Sequence, residues 1–143
     1  MLDEFEWPRP DNDADERIVG NVRKHGCHIV GIMPDEERPG YAFSIGLFVN
    51  YGHPEIVIFG LDRRDAGNVI NDIRDRVSRG QRYAAGDVGD QLLVGHKACF
   101  ADVPPRPFPC LQLVWPDRAG RFPWQAEFDP ALRKYQPLLR GFS

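Results

Sequence analysis

Apolar positions in this chain fall into short blocks separated by polar, proline-rich or glycine-rich joints, and the period within the blocks changes along its length. Residues 1–12 show no period, and Trp7-Pro-Arg-Pro cannot be helical. Asp13 with Glu16 has capping-box spacing, and Ile18, Val19 and Val22 then form one helical face that Gly26 brings to a stop. Residues 27–33 (CHIVGIM) read as a short strand and 34–40 as a polar loop. In residues 41–48 (YAFSIGLF), Tyr41, Phe43, Ile45 and Leu47 alternate with Ala42, Ser44, Gly46 and Phe48, which predicts a second strand. Its small side chains leave one face open to close approach by a backbone or a ligand.

After a turn at 50–55, the nearly continuous apolar run 56–61 (IVIFGL) predicts a central strand covered on both faces. Asp62 is placed to cap the strongest helix, which runs to about Arg79 with Ala66, Val69, Ile70, Ile73 and Val77 at helical spacing, before Gly80 ends it. Beyond the Gly/Asp-rich stretch 85–90, residues 91–103 and 109–115 read as two further strands around Pro104-Pro-Arg-Pro. Pro116-Asp-Arg-Ala-Gly is a turn. Asp129 before Pro130 starts a last short helix that ends ahead of Pro137. These elements predict a single globular α+β domain over 13–143 behind an irregular arm, 1–12. Its sheet is expected to be mixed and mostly antiparallel, with about five strands, open or partly closed as a barrel, and two main helices.

Composition refines this picture in three places. A chain of 143 residues can bury a core without metals or disulfides, and its 13 prolines and 14 glycines fit many short elements joined by ordered turns. Cys27, Cys99 and Cys110 are odd in number and lack C-x-x-C spacing, so they read as small buried hydrophobes rather than a disulfide or zinc framework. Cys27 adjoins His28, but neighbours on a strand point to opposite faces, which argues against a thiolate–imidazolium pair. The net charge of −3 divides into −6 for residues 1–16 and +3 for the rest, too weak a basic balance for a nucleic-acid surface. No apolar run approaches the roughly 18 residues of a membrane span. The acidic start lacks the features of a signal peptide, so a cytoplasmic location is expected.

Candidate chemistry sits at two turns. Gly52-His53-Pro54-Glu55 enters the central strand, where His53 with Glu55 is suited to acid–base work. Packing reads the same residues as a proline-set turn whose histidine holds a loop carbonyl. Farther on, Trp115, Asp117, Arg118 and Trp124 surround the second turn, an aromatic wall beside charged groups that suits a planar or anionic ligand. Packing reads the two tryptophans as closing the core. Catalytic candidates are therefore His53, Glu55 and Asp117; ligand-binding candidates are Ser44, Trp115, Arg118 and Trp124. No histidine spacing demonstrates a metal site. The P-loop, Rossmann and nucleophile-elbow signatures are absent, and of the serines only Ser44 lies near a plausible pocket.

Taken in order, Gly40-Tyr-Ala-Phe-Ser-Ile-Gly-Leu47, Gly52-His-Pro-Glu-Ile-Val-Ile-Phe-Gly-Leu61, Leu111-Gln-Leu-Val-Trp-Pro-Asp-Arg-Ala-Gly120 with Phe122-Pro-Trp124, and Gln136-Pro-Leu-Leu139 resemble the bacterial family of domains of unknown function called DUF4262. The resemblance spans most of residues 16–139, and Phe43-Ser44 stands where that family often has Tyr-Thr. It implies that His53, Pro54, Glu55, Trp115, Asp117 and Trp124 belong to family motifs, and it implies no activity or cofactor. These residues fit a small-ligand domain whose site lies where the two turns meet, or a protein-interaction module of accessory or immunity type. A third is a flavin binder resembling split barrels, by fold analogy alone.

Overall fold

The structure, a computed structural model, describes residues 13–104 and 109–139, with side chains from residue 16 onward. The expected arm 1–12 and most of the Pro104-Pro-Arg-Pro joint lie outside the described residues. Helix α1 (Asp13–His25) stops as expected at Gly26, whose φ of +94° is the left-handed region that a glycine enters without strain. Strand β1 (His28–Ile32) follows, and β2 (Tyr41–Ile45) pairs with it antiparallel.

The predicted second strand ends earlier than its apolar run. Gly46 turns left-handed and the next residues wind into a short helix, α2 (Leu47–Tyr51), before β3 (Glu55–Phe59) begins. Asn50 ties α2 back to the end of α1 by donating to the carbonyls of Val22 and Gly26 at 2.8 and 2.9 Å. Helix α3 (Arg63–Ser78) forms where its periodicity predicts, with the Asp62 carboxylate accepting from the amide of Asp65 at 2.8 Å.

The strand expected over 91–103 is instead a hairpin folded at Val94-Gly95, giving β4 (Val88–Leu93) and β5 (His96–Val103). An irregularity in β4 puts Gln91 at φ +65°, and the Arg76 guanidinium holds it by donating to the carbonyls of Asp90 and Gln91. Strand β6 (Cys110–Val114) completes one sheet of six strands in the order β1-β2-β3-β6-β5-β4. Every pairing is antiparallel except β3 with β6. The sheet is thus two three-strand meanders joined side by side along one parallel seam. It has two edges, so it is open: the partly closed barrel is corrected, and the split-barrel analogy that suggested flavin loses its geometric basis.

One sheet face carries the core. Ala42, Ile56, Ile58, Ala98, Phe100, Leu111 and Leu113 meet Ala66, Val69, Ile70, Ile73 and Val77 of α3. Phe100, Ile56, Ile58, Ile70, Ile73 and Leu113 are wholly buried, and burying each contributes about 1.5–3 kcal/mol. The small face of β2 admits the close approach expected of it: Ala42 and Ser44 are both buried, and the Ile56 amide reaches the Ser44 hydroxyl at 2.9 Å.

A 3₁₀ helix (Pro130–Tyr135), capped by Asp129, leads into a tail held by two glutamines. Gln136 pairs with the backbone of Trp115 through both its amide atoms, accepting from the N–H at 2.8 Å and donating to the carbonyl at 2.9 Å. Buried Gln112 reciprocates from β6, donating to the Pro137 carbonyl at 2.7 Å and accepting from the Leu139 amide at 2.9 Å. Among the described residues no helix is long and apolar enough to cross a membrane.

Candidate functional site

The parallel seam decides whether the two candidate turns can meet. Its register pairs Glu55 with Cys110 and Val57 with Gln112, so His53 and Glu55 stand at the starting end of both strands. Trp115, Pro116 and Asp117 follow the last residue of β6 and stand at the other end. At about 3.3 Å per residue the two turns are on the order of 20 Å apart. The expectation that they converge on one site is corrected by this topology: both strands run the same way, and the turns flank opposite ends.

Each candidate acid or base is committed to the backbone. The Glu55 carboxylate accepts from the Ser44 hydroxyl at 2.7 Å and from the amides of Gly46, Leu47 and Phe48 at 3.0, 3.1 and 3.2 Å. It therefore caps the start of α2 from a different element. Burial raises the Glu55 carboxyl above its ordinary range, and these four donors oppose the rise. Ser44 in turn accepts from the Ile56 amide at 2.9 Å, so both its proton and its oxygen are engaged.

His53 is completely buried. Its Nδ1 lies 2.8 Å from the Pro54 carbonyl and its Nε2 3.0 Å from the Tyr83 amide. The carbonyl can only accept and the amide only donate, which fixes the neutral tautomer with the proton on Nδ1. Burial lowers the His53 pKa, the Pro54 carbonyl opposes that, and Arg82 adds to the lowering. The side chain staples the loop after α3 to the start of β3.

Asp117 organises the far turn. One carboxylate oxygen accepts from the amides of Ala119 and Arg121 at 3.0 and 2.9 Å; the other takes the Asp129 amide at 3.1 Å and Arg121 Nε at 3.2 Å. Burial works against its charge, but the amides of Arg121 and Asp129 and the Arg121 guanidinium outweigh it and hold the carboxyl below its ordinary range. Trp115 donates its indole N–H to the Phe59 carbonyl at 2.7 Å, pinning the ends of β3 and β6 together. Trp124 is 40% exposed and stacks on Phe122, with ring centres 5.2 Å apart and planes 11° from parallel. The thiols of Cys27 and Cys110 are each pushed up to about 11 by burial, which leaves them protonated and unreactive at neutral pH. Among the described residues no three His, Cys, Asp or Glu side chains gather as a metal site would require.

A concave site does exist, at a place the sequence reading did not single out. A cleft of about 590 Å³ opens at the carboxyl end of β3, between the loop 33–40, the first turn of α3 and the tail. Gly31, Ala42, Tyr41, Leu61, Arg63 and Tyr135 line it. The loop wall is pre-ordered: Asp35 accepts from the amides of Glu37 and Arg38, both at 2.8 Å, and its own amide donates to the Arg38 carbonyl at 3.0 Å. Gly60 forms the floor at φ +78°, where a Cβ would collide with the Tyr135 carbonyl oxygen and come within 2.8 Å of the Trp115 ring. Ile32 and Met33 at the lip are 41% and 69% exposed. The available signal was the Gly60-Leu61-Asp62 joint between an apolar strand and a capped helix, since ligands favour the crevice beyond the carboxyl ends of strands.

A second, smaller cleft of about 390 Å³ lies between the Val94-Gly95 turn and the turn that Asp117 organises, and Arg118 is the one residue among the seven candidates that lines either cleft. A protein-family model described as "Domain of unknown function (DUF4262)" matches residues 21–129, and the chain belongs to that family. No curated protein and no solved structure matches the chain.

Proposed function

We propose that this chain is a small-molecule-binding domain whose ligand occupies the cleft at the carboxyl end of β3. The observation that carries the reading is the cleft itself: its volume of about 590 Å³ is that of a ligand site, and its loop wall is braced by the hydrogen bonds of Asp35. Asp35 holds one wall, the sheet end and Gly60 hold the floor, and α3 holds the side opposite the loop. Apolar surface from Ile32, Pro34, Tyr41 and Leu61 suits the body of an amphipathic molecule, with charged groups at the rim. The reading routes no chemistry through His53, Glu55 or Asp117, whose lone pairs already hold backbone donors. A peptide is the alternative occupant, supported by the exposed Ile32 and Met33 beside β1, which stands at one edge of the sheet.

Amide chemical shifts of the full chain, followed across a fragment library and a set of extended peptides, test this. Saturable changes confined to residues 31–42 and 60–66 support the cleft. Gly31 lies in ordinary backbone, and the three atoms nearest a Cβ built there all belong to the flexible Arg63 side chain, the closest at 3.2 Å. Gly31→Leu should therefore fold normally, fill the cleft and weaken binding by about tenfold or more. Binding that Gly31→Leu leaves unchanged, or shifts mapping elsewhere, would sink the proposal.

A further inference from the structure

The second cleft gathers positive charge in a chain whose net charge is negative. His96 and Lys97, following the Val94-Gly95 turn, face Arg118 across it, and Pro116 and Phe122 complete the side-chain wall. None of the lining residues is acidic. Asp117, next in sequence to Arg118, pairs its charge with Arg121 at 3.2 Å and gives its remaining lone pairs to the amides of residues 119, 121 and 129, so it makes no ion pair with Arg118. Asp90 lies 4.0 Å from Lys97 Nζ, with both side chains about 70% exposed, a pair too long and too solvated to hold the lysine. Arg118 forms no hydrogen bond or ion pair among the described residues. Two cations, Lys97 and Arg118, border one concavity whose lining holds no carboxylate, a setting that favours an anion sharing the space.

The site is also built to hold its shape. The hydrogen bonds that occupy Asp117 fix the backbone of the turn, so Arg118 projects from a rigid base and loses less freedom on binding. Phe122 is backed by Trp124 in a near-parallel stack, which presents a flat apolar wall beside the cations. An arginine fork suits the oxygens of a phosphate or carboxylate, and the flat wall suits a ring.

We propose that this cleft is a second binding site, for a small anion carried on a planar ring, of which an aryl phosphate monoester is the simplest member. It is independent of the cleft at β3. Titration of the full chain with phenyl phosphate, followed by amide chemical shifts, reads it directly. Saturable shifts should appear at residues 95–97 and 118–122; inorganic phosphate should bind the same amides more weakly, and phenol should leave them unmoved. Affinity should fall with added salt. Arg118→Ala should weaken phenyl phosphate binding by about tenfold and Arg118→Lys should restore part of it, while ligands of the first cleft are unaffected. Because Arg118 is exposed and has no partner among the described residues, the variant should keep its fold, which unchanged shifts elsewhere will verify. The proposal is overturned by a response that does not saturate, by shifts at 31–42 and 60–66 instead, or by indifference to both Arg118→Ala and Lys97→Ala.

Discussion

His53, Glu55 and Asp117 are polar groups of the kind that draws attention in a sequence, and the fold uses each to satisfy backbone groups where one element hands over to the next. His53 makes this visible in solution. Its folded pKa lies below the ordinary 6.5, so between the two values the unfolded chain carries the proton and the folded chain does not. Its contribution to stability is complete above 6.5 and is lost as pH falls toward the folded value, because imidazolium cannot accept the Tyr83 amide. His53→Gln can still accept from Tyr83 and donate to Pro54 without titrating. It should be less stable than the parent at neutral pH by about 1–3 kcal/mol, and the difference in urea midpoint should narrow by about pH 5. His28, whose pKa burial and Arg17 also lower, acts in the same direction but is present in both proteins and cancels. An undiminished gap in acid would show that His53 does not titrate as described. The turn containing His53 was legible from its proline and glycine. The histidine's hold on a loop carbonyl was legible too, at Pro54, whereas the amides of Tyr83 and of residues 46–48 that His53 and Glu55 accept carry no side-chain signature.

Elements with a strong internal period were the readable ones. Helix α3 formed where Asp62 and the spacing of Ala66, Val69, Ile70, Ile73 and Val77 placed it. Helix α2 was hidden inside an apolar run: its five residues look like more strand, and its cap is supplied by Glu55 from the following element. The β4–β5 hairpin was obscured because the irregularity at Gln91 interrupts the alternation that marks a strand. The first cleft was unread because its lining brings together the loop 33–40, the joint at Gly60 and Tyr135, which lie far apart in sequence. Gly60→Ala tests that junction. The substitution adds a strained left-handed residue and a collision with the Tyr135 carbonyl and the Trp115 ring, and should cost about 2–4 kcal/mol in urea unfolding. Faster hydrogen exchange at residues 135–139 should accompany it as the tail lifts. A loss below about 0.5 kcal/mol would mean that the tail is not seated there.

At the scale of the molecule, the α+β class and the central place of the apolar strand were legible, whereas the joining of β3 to β6 was not, since nothing local marks which strands become neighbours across an open sheet. That seam has a practical consequence. Each meander is continuous in sequence, and the link between them runs through Gly80, which is exposed and has open space where a Cβ would stand. The chain should therefore divide into two complementary pieces, ending and restarting after Gly80. Each piece alone carries an unpaired apolar strand along the seam and should aggregate. Produced together, the pieces should recover one sheet, with the amide spectrum of the intact chain at all but the residues around the cut. Pieces that stay apart when mixed would show that the link is needed to close the seam. Pieces that join would offer a reporter whose two halves meet beside the cleft floor at Gly60, so that a ligand seated there would favour their assembly.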